Sequence, residues 1–230
     1  ADRAEKIIVP SLYLKKIVSN WGVDSKKIKV IYNSFDAPAE LPSKEELRKK
    51  LSFKEPVLVT VGRLVPWKGF ELLIELMKEL EEDTSEPKLF IVGDGPDKKK
   101  LEEKINQLNL NSRVILTGRL NHETLLEYLK AADLFVLNTS YEGFSHQLLE
   151  VMWTETPIVT TGVGGNLELI ENKKTGLLVD YNDRAAIKNA IKKLLADSLL
   201  AQSLARAAKE KVGEFTKRRM VEELVNEFKV

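Results

Sequence analysis

The stretch YEGFSHQLLE, residues 141–150, sets Glu142 and Glu150 on either side of an apparent helix start, just after the strand-like run ADLFVLNTS. A helix that begins at the end of a strand presents free backbone N–H groups and the positive end of its dipole, which suits phosphate. Carboxylates repel phosphate, so the two glutamates must do something else. A carboxylate accepts hydrogen bonds from paired hydroxyls. On an ideal helix, positions eight apart are separated by roughly 12 Å along the axis, enough to span a diphosphate. One glutamate would then hold a sugar and the other a ribose. The helix start after Gly143 would hold the diphosphate between them, with positive charge from Arg63 and Lys68 in GRLVPWKGF. The ligand so described is a nucleotide diphospho-sugar.

The elements around these residues set the frame. Apolar, β-branched runs at 27–32, 56–62, 88–95, 113–118, 133–138, 157–162 and 175–180 alternate with amphipathic segments. In GFELLIELMKEL, the residues Phe70, Leu73, Ile74, Met77 and Leu80 share one helical face. Pro96 is placed as a first-turn proline of the next helix, and Asn121 as an N-cap. Helices are expected again over 198–212 and 216–228. This alternation implies an α/β chain with a doubly wound parallel sheet, Rossmann-like, whose ligands bind at the carboxyl ends of the strands. Arg63, Lys68, Arg119, the Glu142 loop and VGGN (163–166) all follow such strand ends.

The bulk composition narrows the function. The 230 residues carry 36 Lys+Arg against 35 Asp+Glu, a net charge of +1, which gives no electrostatic case for wrapping nucleic acid. Without a cysteine there is no disulfide and no thiolate metal site, and the two histidines, His122 and His146, are far from metal-ligand spacing. His122 reads as a surface residue at a helix N-terminus. Glu150, set among Leu148, Leu149, Val151 and Met152, would be buried at a cost unless it had a partner. No stretch has the apolar length of a membrane span and no signal-peptide pattern opens the chain, so a cytoplasmic location is the expectation.

Together, GRLVPWKG, IVGDGP, YEGFSHQLLE and TTGVGGNLELIENKKTGLLV resemble the C-terminal, donor-binding domain of retaining GT-B glycosyltransferases of glycosyltransferase family four. The likeness includes that family's glutamate–seven residues–glutamate motif and runs from about Ile28 to about Leu195, with the final helix also in keeping. It implies catalytic roles for Arg63, Lys68 and Glu142, the first two on phosphate and the third in contact with the donor sugar, and ribose hydroxyls on Glu150. It places Gly143, Phe144, Ser145, His146 and Gln147 against sugar and diphosphate. Gly62, Arg119, Gly164 and Gly165 join the donor-binding set, with the segment Gly118–Leu120 near the base. It further implies transfer without a metal or cofactor, from a UDP- or GDP-linked donor that is itself the substrate, to an acceptor the sequence does not name. Two departures stand out. EVMWTETP carries Trp153 and Glu155 where the family has small residues, and His146 and Gln147 replace small or apolar ones.

Residues 1–35 resemble the family's crossing from its N-terminal domain, and 36–230 the donor-binding domain with its closing helices. The expectation is a partner domain missing from this chain, which would supply most acceptor contacts and without which transfer is weak or lost. The alternative is a stand-alone nucleotide-sugar binding module. A dinucleotide enzyme is disfavoured by the lack of G-x-G-x-x-G in the first strand–helix turn.

Overall fold

A computed structural model describes residues 4–36, 38, 40–80 and 86–228. Eight strands are defined, β1 (Ile7–Val9), β2 (Ile28–Val30), β3 (Val57–Val61), β4 (Lys88–Val92), β5 (Val114–Gly118), β6 (Leu134–Leu137), β7 (Ile158–Thr161) and β8 (Leu177–Val179). The helices are α1 (Leu12–Asn20), α2 (Lys44–Lys50), α3 (Phe70–Glu79), α4 (Lys98–Gln107), α5 (His122–Ala131), α6 (His146–Trp153), α7 (Asn166–Leu169), α8 (Arg184–Ala196), α9 (Ser198–Val212) and α10 (Lys217–Phe228).

Strands β3 to β8 form one six-stranded parallel sheet in the order β5-β4-β3-β6-β7-β8. The four inner strands β4, β3, β6 and β7 are buried on both faces, apart from Lys88 at the start of β4, because their side chains alternate between two apolar layers, while the edge strands β5 and β8 are only partly covered. Leu58, Leu89, Ile91, Leu134 and Val136 face α3, α4 and α8, where they meet Leu73, Leu101 and Ile191. Val57, Val59, Val61, Phe90 and Phe135 point the other way, to Leu126 of α5 and Leu148 and Leu149 of α6. The chain winds outward from β3 to β5 and then returns to β6, on the far side of β3. The β3/β6 boundary is therefore the topological switch point, where open α/β sheets leave a crevice between diverging loops.

β1 and β2 pair as a separate parallel sheet joined through α1. This unit is tied to the rest by Glu168, whose carboxylate accepts from the N–H groups of Leu12 (2.9 Å) and Tyr13 (3.0 Å) and from the Tyr32 hydroxyl (2.9 Å). α10 reaches back to it, with Glu227 paired to Lys6 and Lys29, both at 2.9 Å.

Asn121 caps α5 as its type requires, accepting from the Thr124 N–H at 2.8 Å. Pro96 differs from expectation. α4 begins at Lys98 behind Asp97, so the proline stands in the turn ahead of the helix. Glu142 also lies outside its helix, four positions before α6 starts at His146, so an ideal-helix spacing to Glu150 does not describe it. Its place is set by the loop.

Candidate functional site

The two sides of the switch point are stitched together by backbone and side-chain bonds. After β3 the chain makes a 3₁₀ turn over Pro66–Lys68. After β6 it runs through Asn138, Thr139 and Ser140 to Glu142. Ser140 N–H donates to the Trp67 carbonyl (2.9 Å), and Asn138 Nδ2 donates to the Gly69 carbonyl (3.1 Å). Thr161, at the end of β7, donates its hydroxyl to the Thr139 carbonyl (2.7 Å) and accepts from the Thr139 N–H (3.2 Å). The result is a rigid rim at the carboxyl ends of β3, β6 and β7.

On that rim Lys68 Nζ lies 2.6 Å from Glu142 Oε2, with the lysine side chain only 10% exposed. The two residues with unlike expected duties, phosphate and sugar, thus meet each other. Arg63 is exposed on the same rim and makes no ion pair among the described residues. Gly62 closes β3, its N–H bonded to the Val92 carbonyl (3.0 Å).

α6 starts at the opening of this crevice. Its N-cap is Ser145, whose hydroxyl oxygen accepts from the Leu148 N–H (3.3 Å). The first-turn N–H groups of His146 and Gln147 have no acceptor among the described residues, as a helix N-terminus dictates. Phe144 is buried against Tyr32 and Phe215 and anchors the loop from below. His146 is exposed and Gln147 half-buried beside it. The Gly143 carbonyl accepts from the Ser11 hydroxyl (2.7 Å), so the segment before α1 also supports the loop.

Gly164 and Gly165 serve this loop directly. A Cβ on Gly164, whose φ is +54°, would fall 2.1 Å from the Glu142 carbonyl oxygen, and one on Gly165 would fall 2.3 Å from that of Gly143. Gly165 N–H donates to the Glu142 carbonyl at 2.9 Å. The glycines let two backbones touch, which accounts for both positions by packing.

Glu150 sits one and a half turns into α6 with its side chain 14% exposed. Burial pushes its carboxyl above the ordinary value, and the nearby His122 works in the opposite direction. His122 Nε2 is 3.2 Å from Glu150 Oε1. His122 is the exposed residue at a helix N-terminus that its sequence position suggests, and its ring also sits on the half-buried Glu150, because α5 and α6 pack side by side. No spacing rule links residues 122 and 150, so sequence patterns carried no signal for the pair. The Glu168 clamp and the Ser11 support were likewise missed, being long-range contacts.

Arg119 is exposed after β5, two strands away from β3, and makes no ion pair among the described residues. It shares the rim without reaching the Lys68–Glu142 pair. Trp153 packs against Phe35 in a tilted contact (5.6 Å between centroids), and Phe35 in turn packs edge-on to His122 (5.9 Å). Among the described residues, no group of three or more His, Cys, Asp or Glu is placed to hold a metal ion. No helix among them is long and apolar enough to cross a membrane.

Chemically, the rim offers two N–H donors without an acceptor among the described residues, two exposed guanidiniums, a buried ammonium and two carboxylates. That set suits a diphosphate flanked by hydroxyl-bearing groups.

Known proteins resemble this chain in sequence and in fold. The chain is 31% identical to an uncharacterized glycosyltransferase of Methanocaldococcus jannaschii, covering 100% of this chain and 60% of that protein. It is 30% identical to the 2-deoxystreptamine N-acetyl-D-glucosaminyltransferase of Niallia circulans, over 75% of this chain and 44% of that one. The chain thus spans less than two thirds of either relative. Among solved structures, sucrose-phosphate synthase of Thermosynechococcus elongatus superposes with a TM-score of 0.88 at 27% identity, covering 98% of this chain and 58% of that chain. Anabaena HepE, solved in complex with UDP, shares the fold with a TM-score of 0.86 at 24% identity, over 97% of this chain and 63% of its own. These neighbours are GT-B glycosyltransferases, and the chain matches their C-terminal Rossmann-like domains. The family model for glycosyl transferases group 1 matches residues 43–211, and the chain belongs to that family.

Proposed function

We propose that the chain is the donor-binding half of a retaining, metal-independent glycosyltransferase that moves a sugar from a nucleotide diphospho-sugar to an acceptor. The observation that carries the reading is the nearly buried Lys68 ammonium, 2.6 Å from Glu142, on the switch-point rim beside a helix start with two free N–H groups. In this reading the donor diphosphate sits over the N-terminus of α6. Arg63 and Lys68 neutralise the charge that grows on the leaving nucleoside diphosphate as the glycosidic bond lengthens. Glu142 turns from Lys68 to a hydroxyl of the donor sugar once phosphate takes its place. Glu150 accepts the ribose hydroxyls. Residues 1–35 are the end of a preceding domain, and the acceptor is held largely by that domain.

Support for a UDP-linked donor comes from Anabaena HepE, solved with UDP and with UDP-glucose. The experiment is calorimetric titration of the chain with UDP, GDP, ADP and dTDP. Binding of one nucleotide, weakened about tenfold or more by Arg63→Ala and Lys68→Ala, is the expected result, in line with loss of a charge-assisted hydrogen bond. Binding unaffected by either substitution would remove the diphosphate from this rim.

A further inference from the structure

We infer that His122 is the positioning residue for the ribose-binding carboxylate: from the start of α5 it holds one oxygen of Glu150 so that the other is presented to the ribose. The inference rests on the reading that Glu150 receives the ribose hydroxyls.

The geometry divides the carboxylate. Oε1 is engaged by His122 Nε2 at 3.2 Å, and Oε2 has no partner among the described residues. A carboxylate only accepts, so the shared proton belongs to Nε2, and His122 is the donor. A glutamate side chain has three rotatable bonds, and a site that takes a pair of hydroxyls needs its plane fixed before the ligand arrives. Nothing on α6 does this, because the residues flanking Glu150 are the buried and apolar Leu148, Leu149, Val151 and Met152.

His122 is itself well placed to be a fixed donor. It is the first residue of α5, whose start is locked by the Asn121 cap. Its ring packs edge-on to Phe35, with 64° between planes. Phe35 rests on Trp153, and the Lys209 ammonium lies 4.5 Å from the Trp153 ring centroid. A column from the crossing segment, α6 and α9 therefore backs the imidazole. This also gives Trp153 a use at a position where a small side chain would leave Phe35 unsupported.

The arrangement makes a prediction that a structural histidine would not. Its effect must fall on ribose recognition and vanish when the hydroxyl is absent. The test is calorimetry with UDP and GDP and with their 2′-deoxy counterparts, dUDP and dGDP, on the wild-type chain, His122→Ala, His122→Gln, Glu150→Ala and the double variant His122→Ala/Glu150→Ala. The imidazole is 55% exposed and the cap belongs to Asn121, so the variants keep the fold, which a melting curve checks.

The wild-type chain is expected to prefer one ribonucleotide over its deoxy form by about tenfold, the size of a hydrogen bond to a charged group. His122→Ala weakens the ribonucleotide about five- to tenfold, leaves the deoxy form nearly unchanged, and so collapses the preference. His122→Gln, which keeps an N–H donor, restores most of it. Adding His122→Ala to Glu150→Ala has no further effect, because the two act through one contact. If Glu150→Ala abolishes the preference and His122→Ala leaves it intact, the positioning role is overturned and the donor reading stands. If Glu150→Ala leaves the preference intact, or no nucleotide binds, the reading of Glu150 falls and takes the inference with it.

Discussion

Lys68 and Glu142 lie 2.6 Å apart across the β3/β6 switch point, each side chain less than one fifth exposed. The pair explains how a lysine can be held nearly desolvated on this rim. A buried charge without a partner costs several kcal/mol, and here the glutamate supplies the partner. Glu142→Ala is therefore expected to destabilise the chain by about 3 kcal/mol, seen as a lower urea midpoint at unchanged slope. UDP should offset part of that loss by giving Lys68 a new anion. The melting temperature of the variant should then rise more on adding UDP than that of the wild type. An equal or smaller rise would show that phosphate does not replace Glu142 on Lys68.

Arg63 presents the opposite case. It is exposed and unpaired among the described residues, so its removal should cost the fold nothing beyond about 0.5 kcal/mol. Its expected contribution is to the diphosphate alone. Arg63→Ala should weaken nucleoside diphosphate binding about tenfold, leave uridine binding unchanged, and flatten the salt dependence of the diphosphate titration. A parallel loss with uridine would place the guanidinium on the base or ribose instead.

Much of this architecture was legible in the sequence, for physical reasons that differ element by element. Runs such as PVLVTVG and DLFVLN are apolar on both faces because both faces of a parallel sheet are covered, and they became β3 and β6. The glutamates stood out because Glu150 interrupts an apolar helix. α2 was not foreseen. Leu47 is its one buried residue, so it shows almost no periodicity, and its signal was the Ser43–Glu46 capping box. α7 is four residues long and is held by Asn166 bonds rather than by pattern. The His122–Glu150 contact joins two helices packed through the sheet's geometry, and nothing local encodes it. The same holds for Glu168, an apparently ordinary acidic residue of a short helix that proves to be a cap for a distant one.

That cap carries its own prediction. Glu168 receives the N–H groups of Leu12 and Tyr13, the first two residues of α1, together with the Tyr32 hydroxyl. A carboxylate on a helix N-terminus meets both orphan donors and the positive dipole end. Burial first, and the Glu168 carboxylate second, push the Tyr32 phenol up to about 12. Glu168→Ala should cost about 1–3 kcal/mol and raise amide exchange over residues 12–20 above that of the main sheet. The Tyr32 phenol should move down toward the ordinary value in an ultraviolet titration, while its burial keeps part of the shift. Because the folded phenol ionises above the unfolded one, wild-type stability should decline as pH rises from about 10 through about 12. The decline should be smaller in the variant. Unchanged exchange in α1 would mean that Ser11 and the β1–β2 pairing hold the segment without Glu168.

Glu150 is where function and stability should oppose each other. Its carboxyl is raised from 4.5 by burial, only partly countered by His122. Between the unfolded and folded values the native state binds more protons than the unfolded one, so stability falls as pH rises through that window and stays lower above it. Glu150→Gln removes the charge and keeps the shape. At pH 7 it should raise the melting temperature by about 2–4 °C, the response of a domain of this size to roughly 1 kcal/mol. At pH 4, where the wild-type carboxyl is itself protonated, the difference should disappear. The same substitution should weaken ribonucleotide binding about tenfold, since a neutral amide accepts less strongly than a carboxylate. A variant that is more stable at neutral pH and binds as well as the wild type would mean that the buried charge serves neither the fold nor the ribose. A variant less stable at neutral pH would mean that the His122 bond outweighs the burial of Glu150.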